Sequence, residues 1–107
     1  MQNSSQEYIT ATIIHEALHA YIGVNYSAIQ HEEMAKNYVL TMVSILRGIY
    51  PNLSQPDAMS LAWGGLEGTA YYTNPPIGTS VPPNQASING QYRYNTNGIG
   101  HGCPVTN

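Results

Sequence analysis

The chain has 107 residues, 42% of them apolar and only 8% charged, with three basic side chains against six acidic ones and a formal net charge of -3. This length supports one domain with a single modest core, and a surface so poor in charge has to be covered by Asn, Gln, Ser, Thr and Tyr. The scarcity of Lys and Arg excludes an electrostatic nucleic-acid footprint, and no apolar stretch reaches the ~20 residues that span a bilayer. Cys103 is the only cysteine, so no intrachain disulfide forms; a free thiol, an intermolecular bridge or a metal ligand remain open for it. Residues 1–5 lack the basic and apolar regions of a signal peptide, which leaves room for the chain to be the end of a longer protein.

The expected fold is mainly α. Three helices occupy residues 1–72, and a coil-rich extension rich in Pro, Gly and Asn follows over residues 73–107 of the same domain, covering part of the site. Ser4 and Glu7 have capping-box spacing. Ile9, Ile13, Leu18 and Ile22 then recur at helical intervals, with Ile14, Ala17 and Tyr21 beside them. Gly23 and Asn25 close this first helix, which is expected from about Ser5 to Gly23.

A second helix is expected to begin between Ser27 and His31 and to run to Gly48 and Pro51, with Met34, Tyr38, Met42, Ile45 and Ile49 as its apolar stripe. Ser54 offers the N-cap of a third, with Pro56 in its first turn and Asp57 at the positive end of its dipole. Leu61, Trp63, Leu66 and Ala70 are its expected buried positions. Gly64 and Gly65 inside it would cost about 1 kcal/mol each, which a close approach by another helix would explain. Beyond Tyr72, Pro75-Pro76 and Pro82-Pro83 break regular structure. Asn89-Gly90 is a type I′ turn signal, so a short hairpin is expected there.

The chemistry gathers on the first helix. His15 and His19 are four residues apart, so their imidazoles leave the same face one turn apart and can share one metal ion at ~2.0–2.1 Å. Glu16 lies on the adjacent edge, placed to take a proton from a water polarised by that ion and to pass it to a leaving amine. A catalytic zinc site takes three protein ligands and keeps one position open. His31, Glu32, Glu33, Glu67 and His101 are the candidates for the third. His31 is favoured, because a helical hairpin turning at Gly23 and Asn25 brings the start of the second helix beside the first. If either neighbour of Glu33 binds metal, Glu33 points elsewhere.

The stretch Ile13-Ile14-His15-Glu16-Ala17-Leu18-His19-Ala20-Tyr21 resembles the active-site helix of zincin metallopeptidases. Together with His31-Glu32-Glu33-Met34-Ala35 it is most similar to the SprT-like branch, in which a third histidine opens the following helix. Leu61-Ala62-Trp63-Gly64-Gly65-Leu66-Glu67-Gly68-Thr69 also resembles a downstream motif of SprT-like domains of the Bacteroidetes type. The resemblance spans residues 8–72. It implies zinc, hydrolysis of peptide bonds in a peptide or protein substrate, His15, His19 and His31 as ligands, and Glu16 as general base. Glu32 is the strongest competitor for the third position, since a glutamate followed by Ala35 and Tyr38 resembles the third-ligand helix of glutamate-type zincins. Ile22 and Asn25 stand where the metzincin branch carries a glycine and a histidine, so that branch is excluded.

Zincins carry a small sheet before the active-site helix. Few residues precede the helix here, so such a sheet is either absent or supplied by an upstream domain of a longer protein. Two variants of the reading follow. In one, the chain is the C-terminal toxin or effector module of a larger secreted protein, with an immunity protein as partner. In the other it is an inactive zinc-binding interaction module. Further expectations attach to single residues. Glu67 holds a histidine tautomer or faces solvent. Tyr71, Tyr72, Tyr92 and Tyr94 include candidate oxyanion donors. His101 and Cys103 are candidates for an inhibitory latch on the metal.

Overall fold

A computed structural model of the chain describes residues 4–23 and 27–102. The chain is mainly helical: α1 (Gln6–Ile22), α2 (Ser27–Asn37), α3 (Val39–Ile49), α4 (Gln55–Ala62), α5 (Ala70–Thr73) and α6 (Gln85–Arg93), followed by a short 3₁₀ turn at Thr96–Gly98. No strand occurs among the described residues, where a single bridge joins Ser5 to Gly102. None of the described helices is long and apolar enough to cross a membrane.

The core is built by α2, α3, α4 and α6. Met34, Ala35, Val39, Met42, Leu46, Ala58, Leu61, Trp63 and Leu66 are all at most 3% exposed, and Ile88 and Tyr92 close it from α6. The expected second helix is two helices, because Tyr38 leaves helical geometry at φ -123° and ψ 0°. That break lets α2 lie against α1 and α5 while α3 lies against α4. It also moves the buried stripe of α3 to Val39, Met42, Val43 and Leu46, leaving Ile45 and Ile49 42% and 54% exposed.

The third helix is shorter than its periodicity suggests. Ser54 caps it and Pro56 sits in its first turn as expected, but it ends at Ala62. The glycine pair terminates α4 rather than interrupting it, and Ala70 is an exposed residue opening α5. Trp63 and Leu66 are nevertheless completely buried, the indole N–H donating to the Ser80 carbonyl at 3.0 Å.

The hairpin at Asn89-Gly90 does not form. Those residues lie within α6, because Gln85, Ile88 and Tyr92, at i, i+3 and i+7, give that segment a buried helical face. Helical burial outweighs the local turn preference, and the extension is less coil-rich than its composition implies.

Most of the helix α1 is only partly buried. Of its residues only Glu7 is buried, although Tyr8, Ala11, Ile14, Leu18 and Ile22 pack against the core. Ile13 and Tyr21, expected on the inner stripe, are 61% and 75% exposed. Its N-cap is Ser5, whose hydroxyl accepts from the Tyr8 N–H, so Ser4 and Glu7 do not make the expected capping box. The Ser5 and Gln6 N–H groups donate instead to the carbonyls of Tyr92 and His101, which satisfies donors that a helix start leaves over. Glu7, 3% exposed, accepts from both the backbone N–H and Nδ1 of His101 at 2.9 and 2.6 Å. The segment after α6 thus wraps over the beginning of α1.

Tyr92 joins this region to α4 by donating to the Asp57 carboxylate at 2.6 Å. Burial, and then the hydrogen bond to Asp57 and its charge, push the Tyr92 hydroxyl well above its ordinary pKa. A group held neutral in this way contributes stability that is fully present below its unfolded pKa of ~10 and is lost as pH rises beyond it. Unfolding experiments across this range should show wild-type stability falling above about pH 10. Tyr92→Phe should be less stable at neutral pH by about 1.5–3 kcal/mol, the worth of a hydrogen bond to a charged group, and should lose less stability on going alkaline. An equally steep alkaline loss in the variant would contradict the assignment.

Candidate metal centre

Two histidines come from the middle of α1 and one from the first turns of α2. His15 and His19 project from one face of α1 because they are one turn apart. His31 comes from α2, which lies across that face. Their Nε2 atoms form a nearly equilateral triangle, with His15–His31 and His19–His31 at 3.1 Å and His15–His19 at 3.2 Å. These three side chains are close enough to hold a metal ion.

Hydrogen bonding cannot satisfy this triangle. A neutral ring nitrogen carries either a proton or a lone pair, and a hydrogen bond needs one of each. Three mutually adjacent atoms with two possible states always leave at least one pair alike, as two lone pairs or two N–H groups. A cation facing three lone pairs removes that conflict. The spacing also fits, since ligands at ~2.0–2.1 Å in a tetrahedral shell lie ~3.3–3.4 Å apart, within about 0.3 Å of the observed triangle.

The electrostatics act in the same direction. Burial, and then the neighbouring imidazoles His19 and His31, hold His15 below its ordinary pKa, against a smaller opposing effect of Glu16 and Glu67. Burial and then His19 do the same for His31, opposed by Glu16. The neutral imidazole so favoured is the form that ligates metal.

The other candidate ligands are engaged elsewhere. Both carboxylate oxygens of Glu32 accept from the Ala70 N–H at 3.2 Å, at the start of α5. Glu33 accepts from the Asn37 side chain. Glu67 lies in the turns after α4 rather than on a helix; it accepts from the Gly65 N–H and from Gln85 and holds no histidine tautomer. His101 is paired with Glu7, so it does not act as a latch on the cluster, and Cys103 lies outside the described residues. Tyr72 and Tyr92 are committed to Gln85 and Asp57, and Tyr94 is 64% exposed beneath Arg93. Of the six side-chain carboxylates, Glu16 alone accepts no hydrogen bond among the described residues, although its charge is felt by His15 and His31.

One contributor was not anticipated from the sequence. Gln30, 7% exposed, places its carbonyl oxygen 2.5 Å from His19 Nδ1 and its amide nitrogen against the carbonyls of Gly23 and His19. Its position next to His31 is the signal the sequence offers, but a glutamine there has no motif of its own.

A cavity of about 160 Å³ opens beside His15. Tyr8, Ala11, Thr12 and His15 line it from one face of α1, and Leu61, Gly64, Gly65 and Asn89 close the other side. The glycine pair explains itself here. A side chain on Gly64 would meet the Asn89 side chain of α6 at 2.9 Å, and one on Gly65 would stand 3.1 Å from the His15 ring. Gly65 also has φ +84°, a conformation that costs an L residue roughly 1–2 kcal/mol. In chemical denaturation, Gly65→Ala should lower stability by at least that amount, about 1–2 kcal/mol. Gly68→Ala, whose new methyl meets nothing within 4 Å, should stay within about 0.5 kcal/mol of wild type. Equal effects at the two positions would contradict the role given to Gly65.

Comparison with models of known families, with curated proteins and with solved structures finds no match, so the reading of this centre rests on its residues and their geometry.

Proposed function

We propose that the chain is a zinc-dependent peptidase domain in which His15, His19 and His31 hold the ion and Glu16 is the general base. The observation that carries this reading is the triangle of three Nε2 atoms, spaced within about 0.3 Å of a tetrahedral shell, near a carboxylate that accepts no hydrogen bond among the described residues. A tripod of imidazoles suits zinc among the first-row metals. The likeness of residues 13–21 to the zincin active-site helix favours hydrolysis over storage or electron transfer.

Zinc held there supplies a Lewis acid that polarises a carbonyl and makes water acidic near neutral pH. The chain's own residues do the rest. Successive helical residues are turned by ~100°, so Glu16 leaves α1 beside the ligand face without competing for it. Its carboxylate accepts a proton from the attacking water as the oxygen bonds to the scissile carbonyl carbon. It then returns that proton to the amine nitrogen as the C–N bond breaks. The cavity beside His15 gives a substrate side chain a place next to the cluster.

Metal analysis after gentle purification should find one zinc per chain in wild type and in Glu32→Ala, and loss of it in His31→Ala. Glu16→Gln should keep the zinc and lower cleavage of a peptide library by ~10²–10⁴-fold, the usual worth of a general base. Cleavage by Glu16→Gln at the wild-type rate would overturn the mechanism. Zinc binding with no cleavage of any peptide by wild type would make the chain a zinc-binding interaction module instead.

A further inference from the structure

We propose that Gln30 is a positioning residue for the metal: it holds His19 in the tautomer protonated at Nδ1, so that Nε2 offers its lone pair to the cluster. This deepens the zinc reading and rests on it.

The amide orientation is fixed by its surroundings. The Gln30 nitrogen end faces the carbonyl oxygens of Gly23 and His19, which can only accept. The oxygen end therefore faces His19 Nδ1. An amide oxygen also only accepts, so the proton on the imidazole belongs on Nδ1. With the proton there, Nε2 is a bare acceptor 3.1–3.2 Å from its two neighbours. With the proton on Nε2, that atom could not bind metal, and two acceptors would face each other across the Gln30 contact.

The arrangement singles out His19. Among the described residues neither His15 nor His31 has a hydrogen-bond partner at Nδ1, so His19 is the ligand that the protein itself orients. Gln30 also satisfies carbonyls at the C-terminal end of α1, one of which, on His19, already receives the Gly23 N–H. A single buried side chain thus ties the α1 terminus, one ligand and, through its neighbour His31, a second ligand into one unit. Outer partners of this kind commonly change metal affinity by ~10–100-fold.

Long-range proton–nitrogen NMR of the histidine rings in the metal-free protein reads the tautomer directly. Wild-type His19 should be protonated at Nδ1, and both Gln30→Leu and Gln30→Met, which offer no oxygen acceptor, should lose that preference. Competition with a chromophoric chelator should show zinc bound ~10–100-fold more weakly by both variants. A wild-type His19 protonated at Nε2, or a Gln30→Leu variant with unchanged tautomer and affinity, would overturn the proposal while leaving the metal centre standing. Absence of zinc binding in wild type would instead remove the metal centre, and the positioning role with it. Should Gln30→Leu fail to fold, the wild-type spectrum and Gln30→Met still decide.

Discussion

Three imidazole nitrogens within 3.2 Å of one another are the constraint on which the arrangement of this molecule turns. They join α1 to α2, adding a polar tie to a helix whose apolar residues pack on the core only partly buried. Its beginning is held by the wrap of residues 92–102 through Ser5, Gln6 and Glu7. Its end is held by Gln30 and the cluster. Between those points Thr10 reaches Tyr50 at the end of α3, and much of the helix surface faces outward. An ion bound by the cluster would therefore contribute folding free energy as well as chemistry, since ligands from two helices must be brought together to bind it.

The shortage of charge makes each carboxylate informative. Glu7 receives His101, Glu32 receives the first N–H of α5, Asp57 receives Tyr92, and Glu67 joins the Gly65 N–H to Gln85. Buried or half-buried polar groups are expected to be used in this way, because leaving them unpaired costs about 1–3 kcal/mol. Glu16 is the exception, exposed on the helix that carries two of the histidines. In a chain with only six acidic side chains, it accepts no hydrogen bond among the described residues, as the proposed role in proton transfer needs.

Much of this was legible in the sequence, and the reasons are local. The i, i+4 spacing of His15 and His19 and the Ser54 cap with Pro56 depend on a few neighbouring residues. The failures come from tertiary competition. Asn89-Gly90 favours a turn on its own, but Gln85, Ile88 and Tyr92 bury a helical face. Tyr38 is an acceptable helix residue, yet the different partners of α2 and α3 break the chain there. Gly64-Gly65 falls within the helical period of its segment, whereas a left-handed turn at Gly65 brings the backbone against His15. Gln30 could not be identified because its importance lies in three contacts that exist only once α2 crosses α1. His31 and Glu32 stayed in competition in the sequence for the same reason; only the fold sends Glu32 to α5.

X-ray absorption at the zinc edge of the metal-loaded protein tests the central claim most directly. The account predicts three imidazoles among light-atom ligands at ~2.0–2.1 Å, with the multiple-scattering signature of histidine rings and no sulfur. A shell with a sulfur at ~2.3 Å, or with fewer than three imidazoles, would show that the triangle formed by His15, His19 and His31 is not the metal centre.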